Sequence, residues 1–166
     1  RVVCNDLRPA YLSHDTARTE DVINYVLKKY QQKNISIENI VLLQPTSPFR
    51  TISRIERARQ IFEKEISDTV VSVSKLDIKL SWLLREEGNG HYRQFSDEFD
   101  NIDFDYFDGS FFITSTRNFL INQSFVSKDI IGVLPDHHFE SCDIDTENDF
   151  AQATAYSEAW LNVFPH

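Results

Sequence analysis

The succession of short apolar runs and amphipathic stretches predicts an α/β fold, a mostly parallel sheet with an antiparallel excursion in its second half. Three observations carry that expectation. Residues 39–44 (NIVLLQ) and 68–74 (DTVVSVS) are apolar runs of strand length, the pattern of strands buried on both faces. An amphipathic stretch separates them, and the order strand, loop, helix, strand favours a parallel sheet with right-handed crossovers. Further on, 80–85 and 91–95 flank Glu87-Gly88-Asn89-Gly90, a hairpin signal that breaks the parallel pattern.

The elements follow in order. Residues 18–33 read as a helix, with Thr19 as N-cap, Glu20 and Asp21 in the first turn, and Val22, Ile23, Val26 and Leu27 as an apolar stripe. After the 39–44 strand, Pro45-Thr46-Ser47-Pro48 is a loop, because two prolines so close forbid regular structure. A second helix starts near Ser53 and sets Ile55, Ala58, Ile61 and Phe62 on one face. Past the 68–74 strand and the hairpin, an acidic stretch over 96–108 leads to a strand at 110–114 and a short helix from about Ser115. A last strand lies near 130–134, and 146–161 is a helix that Thr146 caps, with Asp149 in the capping-box position. No internal repeat and no linker interrupts 1–166, so a single domain is expected.

The chain has 166 residues, 41% of them hydrophobic and 26% charged, enough for a core without disulfide staples. No apolar run reaches membrane-spanning length and no signal-peptide pattern opens the sequence. Cys4 and Cys142 have no metal-binding spacing and read as reduced core thiols, so a cytoplasmic location is expected. A net charge of −9 argues against nucleic acid as a partner, since phosphate-backbone binding needs a basic footprint. A small phosphorylated ligand carrying its own magnesium stays compatible. Thirteen phenylalanines, several within 95–125, are expected in an aromatic core or at a subunit contact. With only four glycines there is no phosphate-cradling loop. Either the ligand is not a nucleotide or the first part of the domain lies outside this sequence.

Most of the chemistry lies in Cys142-Asp143-Ile144-Asp145-Thr146. In an extended strand end, Asp143 and Asp145 project to one side. Such a pair suits magnesium, which keeps several waters and takes one or two carboxylates plus substrate phosphates. The plainer alternative is a solvated acidic turn before a helix.

Four segments, in order, then point to one family. Leu42-Leu43-Gln44-Pro45-Thr46-Ser47-Pro48-Phe49-Arg50 resembles the LLQPTSPLR signature of the CMP-sialic acid synthetases (acylneuraminate cytidylyltransferases). Residues 7–17 resemble that family's RPAEL-x-x-DTA stretch, 69–73 its SVVSV strand, and 142–150 its SIDIDTExDF segment. The resemblance implies a three-layer, Rossmann-like nucleotidyltransferase domain. It implies transfer of CMP from CTP to the anomeric hydroxyl of a sialic-acid-like nonulosonic acid, with release of pyrophosphate. It also implies magnesium held by Asp143 and Asp145, and Gln44, Thr46 and Ser47 at the reaction centre. Arg8, Ala17 and Thr19 would border the nucleotide, Thr19 standing where relatives have serine. A homodimer is implied too, with the excursion over about 80–131 as its contact.

The departures fall on the nucleotide loop and the sugar side. The family's IPARxGSK-type loop has no counterpart, so the chain reads as the domain without its first strands, which leaves the activity of this chain alone open. Where relatives carry NGAIYI, this chain has Asp108-Gly109-Ser110-Phe111-Phe112-Ile113, which puts Asp108 and Phe112 against the sugar. A carboxylate there would repel an anionic sugar unless it is paired or meets a hydroxyl or an amine. The arginine-rich element that holds the sugar acid is replaced by the acidic 97–105; Arg93-Gln94 falls early, and Lys79 is a candidate substitute cation. Two other readings remain, a cytidylyltransferase for another keto-deoxy sugar acid and a non-catalytic binding or dimerisation module.

Overall fold

The computed structural model describes residues 7–64, 67–95 and 102–164. Cys4 and much of the acidic 97–105 stretch lie outside the described residues. The fold is mixed α/β. Its helices are α1 (Thr19–Gln32), α2 (Ile52–Glu63), α3 (Thr116–Asn122) and α4 (Glu147–Val163). Its strands are β1 (Asn39–Leu43), β2 (Thr69–Lys75), β3 (Leu84–Gly88), β4 (His91–Gln94), β5 (Asp105–Ser115) and β6 (Ile131–Val133).

The main sheet runs in the order β1-β5-β2-β6, and β5 is antiparallel to both β1 and β2. Among the described residues only β2 and β6 pair in parallel. The expectation of a mostly parallel sheet is therefore corrected. β1 and β2 do point the same way, but β5 lies between them, and periodicity cannot reveal a later strand inserted between two earlier ones.

A second correction concerns β1. It was expected to be buried on both faces, yet among the described residues it lies at the edge of the sheet, and its residues alternate between exposed and half-buried. Strand β2 does meet the expectation and is buried from Thr69 to Ser74. Ala58 of α2 packs on Val70, Phe111, Ile113 and Val133, with Ile55, Ile61 and Phe62 closing the edge of that core. A second cluster of Phe49, Phe139, Cys142 and Ala153, flanked by Tyr156 and Trp160, seats α4. Of the two cysteines, Cys142 is a buried free thiol.

The ends of the helices follow from their capping residues. Thr51 caps α2, its hydroxyl accepting from Arg54 N, and Ser115 caps α3 by accepting from Asn118 N. Thr146 and Asp149 form the expected capping box at the start of α4. Thr19 is instead the first residue of α1, whose N-cap is Arg18 with no side-chain bond. The hairpin exists as a separate two-stranded sheet of β3 and β4, exposed along its whole length. Residues 80–82 ahead of it form a 3-10 turn rather than strand.

Candidate functional site

The site grows from an irregularity in β5. Val71 pairs with Phe112 and Val73 with Phe107, so one β2 residue, Ser72, faces four on β5, Asp108 to Phe111. Such a bulge leaves ladder groups unpaired and bends the strand. Ser72 compensates, its hydroxyl donating to Phe111 O at 3.2 Å and accepting from Phe111 N at 3.0 Å. At the bulge Gly109 has φ +78°, and a methyl group built on it would lie 2.6 Å from Gln44 Oε1 and 3.4 Å from Asp143 Oδ2. Only a residue without a side chain allows this approach.

The fold thus brings Gln44 and Asp143, 99 positions apart in sequence, to the same glycine. Backbone contacts lock the arrangement. Ile144 N donates to Thr46 O at 2.9 Å, joining the two segments directly. Arg50 reaches back from beyond the loop, Nη1 donating to Gln44 O at 2.5 Å and to Ser110 O at 3.4 Å. Its partial burial pulls the guanidinium below its ordinary pKa, through desolvation. Asp143 and Asp145 do not leave a strand, as expected, but lie in the loop between a 3-10 turn (His138–Ser141) and α4. Asp143 is half-buried and Asp145 exposed.

Three buried polar atoms here have no hydrogen-bond partner, Asp143 Oδ1, Ser47 Oγ and Ser110 Oγ. Buried polar groups are nearly always satisfied, and an orphaned carboxylate oxygen is the costliest kind to leave so. The unsatisfied Asp143 Oδ1 at this corner fits a position that a cation, a water or a polar ligand completes. Among the described residues no set of three or more His, Cys, Asp or Glu is placed to hold a metal. A cation at Asp143 would therefore take most of its ligands from water and substrate, which is the habit of magnesium. Next to the corner is a cleft of about 380 Å³, lined by Tyr106, Phe107, Asp108, Ser141, Cys142, Asp143, Gln152 and Tyr156. Larger hollows beside α1 and near Asp129, of about 550 and 610 Å³, contain none of the predicted site residues. Burial, with the charges of Asp149 and Asp143, pushes the Cys142 thiol up and so favours its neutral form.

Of the remaining predicted residues, Asp108 is buried and paired, its carboxylate meeting Arg54 Nη2 at 2.6 Å and the Ser74 hydroxyl at 2.7 Å. The condition set by its charge is met inside the protein. Phe112 is half-buried between the rings of Phe107 and Phe125. Among the described residues no hydrogen bond ties Arg8, Ala17 or Thr19 to the Gln44–Asp143 corner; Arg8 Nη1 donates to Leu12 O at 3.4 Å. Lys79 is exposed at the start of the 80–82 turn. Sequence reasoning did not single out Gly109, Arg50 or Arg54. The available signal was a glycine ahead of the apolar run 111–113, which marks a bulge or a close approach in a strand.

No family model matches the chain. It is 32% identical over 152 residues to a protein of Legionella pneumophila named CMP-N,N'-diacetyllegionaminic acid synthase, across 87% of this chain and 65% of that protein. It is 29% identical over 155 residues to the N-acylneuraminate cytidylyltransferase of Streptococcus agalactiae, across 87% of this chain and 35% of that one. The chain thus spans just under two thirds and about a third of these two relatives.

Proposed function

We propose that the protein to which this chain belongs transfers CMP from CTP to a nonulosonic acid of the sialic or legionaminic type, a reading supported by its similarity to a CMP-N,N'-diacetyllegionaminic acid synthase and an N-acylneuraminate cytidylyltransferase. The sugar's anomeric hydroxyl would attack the α-phosphorus of CTP, the bond to the β-phosphate would break, and pyrophosphate and a proton would leave. The observation that carries this reading is the orphaned, buried Asp143 Oδ1, held across Gly109 from Gln44. Gln44 offers a donor and an acceptor to a polyhydroxylated sugar, and Thr46 and Ser47 offer hydroxyls at the same loop. Ser47 Oγ is buried and has no partner in the protein, which supports a ligand role.

Asp143, with Asp145 beside it in sequence, would hold magnesium, whose charge stabilises the reacting phosphate oxygens when bound. The protein's own contribution would be positioning, with the Gln44 amide and the Thr46 and Ser47 hydroxyls set against the reacting groups. Arg8, Ala17 and Thr19 stay in the reading as the nucleotide border, and Phe112 and Lys79 as sugar-side residues. A homodimer through the 80–131 region also belongs to it, supported by the exposed Trp82, Leu84 and Tyr92 on and before the hairpin. Among the described residues no helix is long and apolar enough to cross a membrane.

The test is magnesium-dependent pyrophosphate release from CTP by the protein in its natural reading frame, with a panel of nonulosonic acids. Turnover with one sugar is the expected result. Asp143→Ala and Asp145→Ala should each lower the rate by roughly two to three orders of magnitude, the range for removing one charge stabiliser. Silence of the folded wild type across the panel would end this reading.

A further inference from the structure

We infer that Asp108 is a positioning residue: with Arg54 it holds the Gly109 bulge at the spacing that keeps Gln44 and Asp143 together, and it does not itself meet the sugar. The inference rests on the proposed reaction only for its catalytic consequence.

Asp108 begins the bulged segment, and both of its oxygens are occupied. Oδ2 accepts from Arg54 Nη2 at 2.6 Å and from Ser74 Oγ at 2.7 Å, while Oδ1 accepts from Ser110 N at 3.1 Å across Gly109. The last bond sets the turn around Gly109, because it closes the chain from 108 to 110. Arg54 extends the anchor into the sheet. Its Nη2 donates to Val73 O at 2.9 Å and Val133 O at 2.8 Å, and its Nε to Val133 O at 3.3 Å. Val73 sits where the ladder register breaks, so the guanidinium takes a carbonyl beside the bulge. The two side chains are 1% and 0% exposed.

Stability alone does not account for this pair. A buried ion pair is often no better than well-packed apolar residues of the same size, because desolvation offsets the attraction. What apolar side chains could not do is accept from Ser110 N, Ser74 and Arg54 together and so fix the backbone on either side of Gly109. Residues that orient a ligand-bearing side chain typically change metal affinity by about 10- to 100-fold when removed.

The test removes the pair as a unit, which avoids leaving a lone buried charge. In Arg54→Met/Asp108→Asn, three quantities are compared with wild type: Mn²⁺ affinity, the Gln44 side-chain amide resonances, and kcat and KM for CTP. The expected result is a folded variant with shifted Gln44 resonances, Mn²⁺ affinity about tenfold or more weaker, and a similar loss in kcat with little change in KM. A variant that only melts earlier, with Gln44 resonances and Mn²⁺ affinity unchanged, overturns the inference and leaves the proposed reaction standing. A wild type that neither binds Mn²⁺ nor turns over CTP removes that reaction, while a shift at Gln44 in the variant would still establish the positioning role. If the double variant does not fold, Ser74→Ala releases one of the three bonds and should move Gln44 and Mn²⁺ affinity in the same direction by less; no movement in either overturns the inference.

Discussion

At the scale of single residues, Gly109 sets the tightest geometric constraint on the site. A methyl group there would lie 2.6 Å from Gln44 Oε1, a distance that forces the amide to move, and the φ of +78° is itself unfavourable for any L side chain. Gly109→Ala is therefore expected to cost about 1–3 kcal/mol of stability. Pyrophosphate release should fall at least tenfold even at temperatures where the variant stays folded, because Gln44 is pushed off its position. Chemical denaturation and steady-state rates measured on the same preparation check both parts. Part of the corner was legible beforehand: the spacing of Asp143 and Asp145 marked them as a carboxylate pair, while Gln44, Thr46 and Ser47 were singled out only through the family resemblance of residues 42–50. Their closeness was not, since it depends on a glycine whose role is to have no side chain. Asp108 was legible as an awkward negative charge, but its partner was not. Arg54 sits in a helix pattern where an arginine is ordinarily solvated, and only the folded chain shows it 1% exposed beneath the bulge.

At the scale of elements, the helices were read closely and the sheet less so. Helix α4 starts where its capping box placed it, because Thr146 and Asp149 carry that information locally. Asp149 is held below the ordinary carboxylate pKa, first by the Thr146 hydroxyl, then by the backbone N–H of Thr146 and that of Asp145. A depressed pKa in the folded state means the cap contributes above the unfolded carboxylate value, about 4, and is lost as pH falls through the lower folded value. The melting temperature of wild type should accordingly decline below about pH 4, and Asp149→Ala should flatten that part of the profile. Equal slopes in a pH series of melting curves would remove Asp149 from the acid response. β1 shows the limit of local reading. Its five apolar-rich residues describe a strand that can be buried, and nothing in them records that one edge has no partner among the described residues. Val41 and Leu43, which share one face of the strand, remain 53% and 44% exposed.

At the scale of the whole molecule, the departure from a parallel sheet has one source, the placement of β5. Local patterns gave every strand of the sheet its approximate position along the chain. The order across the sheet is decided by contacts distant in sequence, which those patterns do not encode. That placement bears on how the chain reaches its native state. β2 ends at Lys75 and β5 begins at Asp105, so the first two strands of the sheet are synthesised well before the strand that joins them. Until β5 arrives, β1 lacks the one strand it pairs with among the described residues, and the apolar sides of β2 have neither Phe111 nor Ile113 to cover them. Helix α2 can form early from local bonds, but the sheet closes late and in one step, a topology associated with slower folding and a longer exposure to aggregation. Pulse-labelled hydrogen exchange during refolding should show the amides of Val41, Val71 and Ile113 becoming protected in a single phase. Earlier protection of Val41 and Val71 would mean that the first strands find some other pairing. If the phase is shared, a nascent chain that has not yet extended past Ser115 carries uncovered apolar surface, the state in which aggregation competes with folding.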